Sequence, residues 1–165
     1  MTTTTADRGD RFTITEEDPG TPDLLAILEA HLAQMRAQTP PEHVHALDLK
    51  GLRDPSVRFF ALRENGEALG VGALKRLDAT HGELKSMHTL ARARGRGAGA
   101  AMLAHLLDQA REQGFARVSL ETGETEDFHP AIRLYRRHGF EPCGPFGSYT
   151  AAVDTFSTFM TRALD

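Results

Sequence analysis

The apolar positions of the chain follow two different periods, and together they predict an order of strands and helices. Residues 11–15, RFTIT, alternate like a short strand, whereas residues 21–38 repeat apolar side chains at helical spacing. Residues 57–78 are typical of two strands joined at Asn65-Gly66, a dipeptide suited to a tight hairpin turn. Another strand is predicted at 82–91. The first half therefore predicts a strand, a helix and an antiparallel meander.

The second half alternates helices with strands. A long helix is predicted from about Gly97 to Gln113 and ends at Gly114, a natural C-cap. ARVSLET is a predicted strand, HPAIRLYRRHGF a helix closed by Gly139, and TFSTFMTRAL a last strand. A meander of strands, followed by strands that alternate with helices, predicts an α/β (α+β mixed) fold with a mixed sheet. The connection at 39–56 is irregular or partly helical and long enough to cover a site.

Composition favours one intracellular domain. With 165 residues and 40% hydrophobic content, the chain predicts a single domain over 1–165, in which the threonine-rich residues 1–10 form a loose tail. A net charge of -4 gives no global field for nucleic acid or an anionic membrane. Cys143 is the only cysteine, and no secretory or membrane-spanning run is present. We therefore expect a cytoplasmic protein with neither a nucleic-acid nor a membrane partner.

The stretch RARGRGAGA, residues 92–100, places poor helix formers directly before a good helix. The first amides of a helix have no internal partner and carry the positive end of its dipole, so they can bind a phosphate that approaches glycine closely. Arg92, Arg94 and Arg96 add positive charge. The alternative is a flexible turn with solvated arginines. The residues that follow this loop are too few for a complete dinucleotide-binding fold. The lysine and the Ser/Thr of a nucleoside triphosphate loop are also absent.

Two blocks of the sequence resemble the GNAT superfamily of acetyl-CoA-dependent N-acetyltransferases. Arg94-Gly95-Arg96-Gly97-Ala98-Gly99 matches the superfamily loop Arg/Gln-x-x-Gly-x-Gly/Ala, and AIRLYRRHGF resembles its alanine-x-x-leucine-tyrosine helix ending in Gly-Phe. Their order and spacing agree over residues 57–162, and ELKSM, LETG and GPFGSYTAAVDTFSTFM further resemble small single-domain bacterial members. The resemblance implies a mixed, mostly antiparallel central sheet of about six to seven strands flanked by about four helices.

Glu83 is the candidate general base, because an alkyl ammonium with a pKa near ~10 must lose a proton before it attacks a thioester. It lies on the strand that leads to the glycine loop, eleven positions before Arg94. This offset resembles that of the base in histone-acetylating members, which acts through water. The alternative is an exposed or ion-paired carboxylate beside Lys85, two residues on and on the same face.

Tyr135 occupies the position at which relatives place a tyrosine near the thioester sulfur. A phenol there donates a proton to the departing thiolate or orients it by a hydrogen bond. The alternative is a half-buried tyrosine that anchors the helix. Many relatives also carry an asparagine three positions before Ala131, where it contacts the pantetheine arm, but this chain has Phe128 there.

The resemblance implies that main-chain groups bind most of the cofactor. Met87, His88 and Thr89 offer amides to pantetheine as an added strand would, and one of them polarises the thioester carbonyl. The loop that holds the diphosphate comprises Arg94, Gly95, Arg96, Gly97, Ala98, Gly99 and Ala100. No metal is expected at His43, His45 and His81, because no cysteine or carboxylate spacing accompanies them. His43 and His45 are instead expected near the acceptor pocket.

The sequence thus predicts an N-acetyltransferase that uses acetyl-CoA and an amine acceptor in a ternary complex. The acceptor stays open among small amines, amino acids, peptide termini and an acceptor oxygen. The first alternative is a domain that binds acyl-CoA without turnover, and the second is nucleic-acid binding through RARGR, which the acidic total disfavours. The late apolar stretch TFSTFM would suit a dimer edge, which allows a homodimer.

Overall fold

The computed structural model describes residues 3–4, 11–38, 49–124, 126–147, 149 and 157–165. The strands are β1 Thr3–Thr4, β2 Thr13–Glu16, β3 Val57–Glu64, β4 Glu67–Arg76, β5 His81–Thr89, β6 Arg117–Gly123, β7 Glu141–Cys143 and β8 Ser157–Ala163. The α-helices are α1 Pro22–Gln38, α2 Leu49–Leu52, α3 Ala98–Glu112 and α4 His129–Arg137. Short 3₁₀ helices cover Ala91–Ala93 and Glu126–Phe128.

The strands form one mixed sheet in the order β1-β2-β3-β4-β5-β6-β8-β7. Strands β2 to β5 form an antiparallel meander, and the β3–β4 hairpin turns at Asn65 and Gly66, which have φ angles of 52° and 82°. The only parallel pair in the described part of the chain joins β5 to β6. The predicted fold class, a mixed and mostly antiparallel sheet with four helices, is confirmed.

Helices cover both faces of the sheet. On one face, α3 packs Ala101, Leu103 and Leu106 into the larger core cluster, together with Tyr135 of α4. On the other face, Leu24 of α1 and Leu52 of α2 pack on alternate residues of the central strands. Because successive residues of β3 and β4 are buried on opposite faces of the sheet, both strands are apolar over most of their length.

The helix boundaries follow the predicted stop signals. Helix α3 ends before Gly114, whose φ is 80°, and the Phe115 amide donates back to the Ala110 carbonyl. Helix α4 ends in the same way before Gly139, with Phe140 donating to Tyr135. Both are left-handed glycine caps, which satisfy carbonyls at the helix end.

Two expectations need correction, and one strand was not predicted. Residues 1–10 are not wholly a loose tail, because Thr3 and Thr4 add β1 to the free edge of β2, where threonine suits a pleated strand. Strand β7 was not predicted, since three residues give too short a pattern. Because β7 pairs with β8 at Phe159 and Met160, these residues of the predicted dimer edge TFSTFM are not on a free edge, and residues 155 and 156 lie outside the described residues. No helix in the described ranges is long and apolar enough to cross a membrane.

Candidate active site

A fork opens in the sheet where β5 and β6 separate. The two strands pair from His81 and Arg117 up to Leu84 and Leu120, and no pairing is found beyond that point although both strands continue. On its other side, β5 stays paired with β4, but the register shifts by one residue near Ser86, whose φ of 56° is unusual for serine. Such a bulge bends the strand. The bulge and the lost pairing lie at the same place along β5.

The fork belongs to a cavity of about 570 Å³. Its walls come from α1, β5, the glycine loop, β6, α4 and the segment after β7. The lining residues include His31, Gln34, Met35, Glu83 to Thr89, Ala93 to Gly95, Gly97 to Ala100, Leu120 to Thr122, Phe128, Ala131, Leu134, Tyr135, Arg137 and Tyr149. A volume of this size suits a small molecule or a cofactor arm rather than a folded partner.

The glycine loop presents unpaired amides at one end of this cavity. Gly97 is the N-cap of α3 with a φ of 86°, and no side chain caps the helix. The amide of Ala101 donates to the carbonyl of Gly97, and no described residue accepts a hydrogen bond of ordinary geometry from the amides of residues 95–100. Gly95 also has a positive φ, 77°, and a Cβ at either glycine would meet open space. The loop can therefore bind an anion with its main chain.

The three arginines of the loop have different surroundings. Nη2 of Arg96 donates to both carboxylate oxygens of Glu64, at 2.6 and 2.7 Å, and Arg92 pairs with Glu67 at 3.2 Å. Both pairs lie on the β3–β4 hairpin, and neither side chain lines the cavity. Arg94 does line it, and its Nε donates to the Thr89 carbonyl at 3.3 Å. Arg92 and Arg96 are thus paired with carboxylates of the hairpin, and Arg94 is the arginine of the loop that lines the cavity.

The main chain of β5 has one edge on the fork. The Leu90 amide donates to Leu69 of β4, and alternate residues of a strand face opposite edges, so His88 also faces β4. The main-chain groups of Met87 and Thr89 face the open side. The predicted added-strand contact therefore fits Met87 and Thr89, whereas His88 lines the cavity with its ring.

Glu83 is buried in the cavity wall within a closed hydrogen-bonded triangle. Its Oε2 accepts from Lys85 Nζ at 3.2 Å and from the Tyr149 hydroxyl at 2.8 Å, and Lys85 also donates to Tyr149 at 2.9 Å. The side chains of Glu83 and Lys85 are only 4% and 8% exposed. Both bonds end on Oε2, and Oε1 accepts from no described residue. The ion pair foreseen as an alternative is present, in a buried site rather than at the surface.

Tyr135 lines the cavity from α4 and packs its ring edge on Phe140. Burial first, and then the charge of Glu121 on the facing strand, raise the pKa of Tyr135 to about 12. The phenol therefore stays protonated at neutral pH. Its hydroxyl makes no hydrogen bond with the described residues, so it can donate to a ligand.

Sequence reasoning missed several residues of the cavity. One of them is Tyr149, which follows a stretch of sequence without periodicity. Another is His31 of α1, whose ring contacts that of His88 with centroids 4.8 Å apart. Burial lowers the pKa of both histidines to about 4, so both rings are neutral at pH 7. His43 and His45, expected near this pocket, lie outside the described residues. Within the described ranges no group of three or more His, Cys, Asp or Glu is arranged for a metal ion.

Known proteins resemble the chain over most of its length. Residues 24–140 match the family described as the Acetyltransferase (GNAT) family. The chain is 42% identical over 141 residues to the uncharacterized N-acetyltransferase YsnE of Bacillus subtilis, covering 86% of this chain and 92% of YsnE. It is 41% identical over 153 residues to the uncharacterized N-acetyltransferase YedL of Escherichia coli, covering 93% and 95%. A crystal structure from Klebsiella pneumoniae, described as an acyl-CoA N-acyltransferase, has a TM-score of 0.79 at 32% identity, covering 93% of this chain and 98% of that one.

Proposed function

The chain belongs to the GNAT family of acetyltransferases and transfers an acetyl group from acetyl-CoA, and we propose that a primary amine attacks the thioester directly in the cavity between β5 and β6. The observation that carries the proposal is a row of unpartnered amides, 95–100, at one end of a cavity that also contains a buried carboxylate and a free phenol. The alternative of a non-catalytic acyl-CoA-binding domain is not favoured, because the relatives are N-acetyltransferases.

Cofactor binding rests on the main chain. The amides of residues 95–100 receive the diphosphate, where the positive end of the α3 dipole and the Arg94 guanidinium add attraction. The pantetheine arm lies in the fork and extends the sheet beside β5, with its amides facing Met87 and Thr89. Phe128 provides an apolar contact in place of the asparagine of other relatives.

Glu83 acts as the general base through water at Oε1. Tyr149 and Lys85 hold Oε2, which leaves Oε1 to accept a proton from a water molecule that in turn takes one from the acceptor ammonium. The neutral amine then attacks the acetyl carbon. A C–N bond forms, the C–S bond breaks, and the electron pair leaves with sulfur. The overall products are the N-acetylated acceptor, coenzyme A as a thiol and one proton.

Tyr135 stabilises the departing thiolate. Its pKa of about 12 lies above that of an ordinary thiol, about 8.5, so a hydrogen bond to sulfur is favoured over complete proton transfer. Charge that develops on sulfur within a buried cavity gains more from such a donor than it would in water.

The test combines a turnover assay with a binding assay. We expect Glu83→Gln and Tyr135→Phe to lower thiol release from acetyl-CoA by about a hundredfold, a typical loss for a general base or a donor to developing charge. Calorimetry should give unchanged coenzyme A affinity for both. Wild-type protein that binds no coenzyme A, or a Glu83→Gln variant with full turnover, would contradict the proposal.

A further inference from the structure

Two carboxylates and one ammonium line the cavity at the fork, on the two strands that border it. Glu83 and Lys85 belong to β5, whereas Glu121 belongs to β6, one residue beyond the last β5–β6 pair. The Glu121 carboxylate accepts from Ser157 Oγ at 2.6 Å, which fixes it on its strand. These three charges are the ionic groups that an acceptor would meet in this part of the cavity.

Lys85 has hydrogen-bonding capacity beyond its two contacts. An ammonium has three donors, and Lys85 uses one toward Glu83 and one toward Tyr149. A buried ion pair costs desolvation energy that its own attraction scarcely returns, so it contributes little to stability. Burial of Lys85 in a cavity wall is therefore better explained by a ligand than by folding.

The other basic side chains of the cavity do not serve the fork. Arg94 belongs to the glycine loop, and Arg137 lies one turn beyond Leu134, whose side chain reaches Gly99 at the start of α3. His31 and His88 carry no charge at pH 7. Among the described residues, Lys85 is thus the cation available to an acceptor at the fork.

We propose that the acceptor is an amino acid or a closely related zwitterion, which rests on the proposed function. Its ammonium enters between Glu83 and Glu121, and its carboxylate accepts a hydrogen bond from Lys85. Each charge of the ligand then meets an opposite charge, and a charge-assisted bond orients the amine toward the thioester. Acetylation removes the positive charge and leaves an anion beside two carboxylates, which promotes product release.

The test compares each standard amino acid with its carboxamide and its decarboxylated amine in the thiol-release assay. For the best amino acid, we expect kcat/KM to exceed that of the carboxamide by about tenfold or more, the value of one charge-assisted hydrogen bond. Lys85→Met should reduce this ratio to about one, because only the free acid uses the ammonium. Lys85→Arg should keep part of the preference. Lys50→Met, at an exposed position of α2 and outside the cavity lining, is the matched control and should leave the ratio unchanged.

Three outcomes overturn the inference. If the wild type has equal kcat/KM for the amino acid and its carboxamide, no site for the carboxylate is needed. An acceptor that is a peptide terminus would give this result. An equal loss for acid and carboxamide in Lys85→Met makes Lys85 a positioning residue for Glu83 alone. Acetylation of simple amines but of no amino acid also contradicts it and leaves the proposed function intact. Failure of the proposed function itself is separate, because it appears as absent coenzyme A binding.

Discussion

The Tyr149 hydroxyl donates a 2.8 Å hydrogen bond to Oε2 of Glu83, although the two residues are 66 positions apart in the chain. Burial first, and then the adjacent Glu83 charge, raise the pKa of Tyr149, so it remains a donor over the physiological range. The bond holds Oε2, whereas Oε1 accepts from no described residue. This makes Tyr149 a positioning residue for the proposed base.

Replacing Tyr149 by phenylalanine removes this donor and keeps the ring contacts with Phe146 and Phe159. We expect kcat to fall by about tenfold or more, since a hydrogen bond to a charged group is worth about 1.5–3 kcal/mol. Coenzyme A affinity should not change. A variant with wild-type kcat would show that Tyr149 serves only the aromatic cluster.

Two glycines with the same backbone conformation allow a controlled test of the anion loop. Gly97 and Gly114 have φ angles of 86° and 80°, and a Cβ at either would meet no atom within 4 Å. Alanine at each should cost about 1 kcal/mol of stability because of the left-handed conformation. Only Gly97→Ala also places a methyl group beside the unpaired amides, so it should weaken coenzyme A binding by about tenfold.

Calorimetry and thermal unfolding of the two variants give both quantities. Equal losses of coenzyme A affinity in Gly97→Ala and Gly114→Ala would mean that general destabilisation, not contact with the diphosphate, causes the effect. Unchanged affinity in both would place the diphosphate elsewhere.

The regular elements of the site were predictable from the sequence, and its long-range contacts were not. Glu83 lies on an alternating strand and Tyr135 on an amphipathic helix, so periodicity and motif spacing placed both. The bulge at Ser86 leaves no such sign, because glycine rather than serine usually marks a positive φ. Tyr149 lies next to Glu83 only because strands that are distant in the sequence pair in the sheet. The contact of Arg96 with Glu64 depends in turn on the position of the β3–β4 hairpin.

Because Arg94 and Arg96 have different surroundings, the same substitution should weaken coenzyme A binding at Arg94 and leave it nearly unchanged at Arg96. Arg94→Gln should lower coenzyme A affinity by about five- to tenfold at low salt, with a smaller loss at high salt, because it removes a charge that faces the proposed diphosphate. Arg96→Gln breaks the pair with Glu64 and should leave affinity within about twofold of the wild type. Binding isotherms at two salt concentrations measure both. A larger loss in Arg96→Gln would mean that its side chain leaves Glu64 when the ligand binds.

His105 of α3 gives the fold a dependence on acid that is independent of the cavity. Its ring lies against Phe60 and is 2% exposed, and its Nε2 has no partner among the described residues. Burial first, with smaller and partly opposing effects of Asp108, Arg58 and Glu16, lowers the pKa of His105 to about 4. The unfolded chain binds this proton near pH 6.5. Between these values the unfolded state binds more protons, so stability falls as the pH falls.

Replacing His105 by leucine removes this group and keeps an apolar side chain against Phe60. We expect the Tm of His105→Leu to fall less than that of the wild type between about pH 7 and about pH 5, because one proton-binding site of the unfolded state no longer opposes folding. His129→Leu, at an exposed position of α4, is the control and should follow the wild-type curve. His31 and His88 remain in both variants, so part of the acid sensitivity should persist. Parallel Tm curves for His105→Leu and the wild type would show that the buried ring takes up its proton without unfolding.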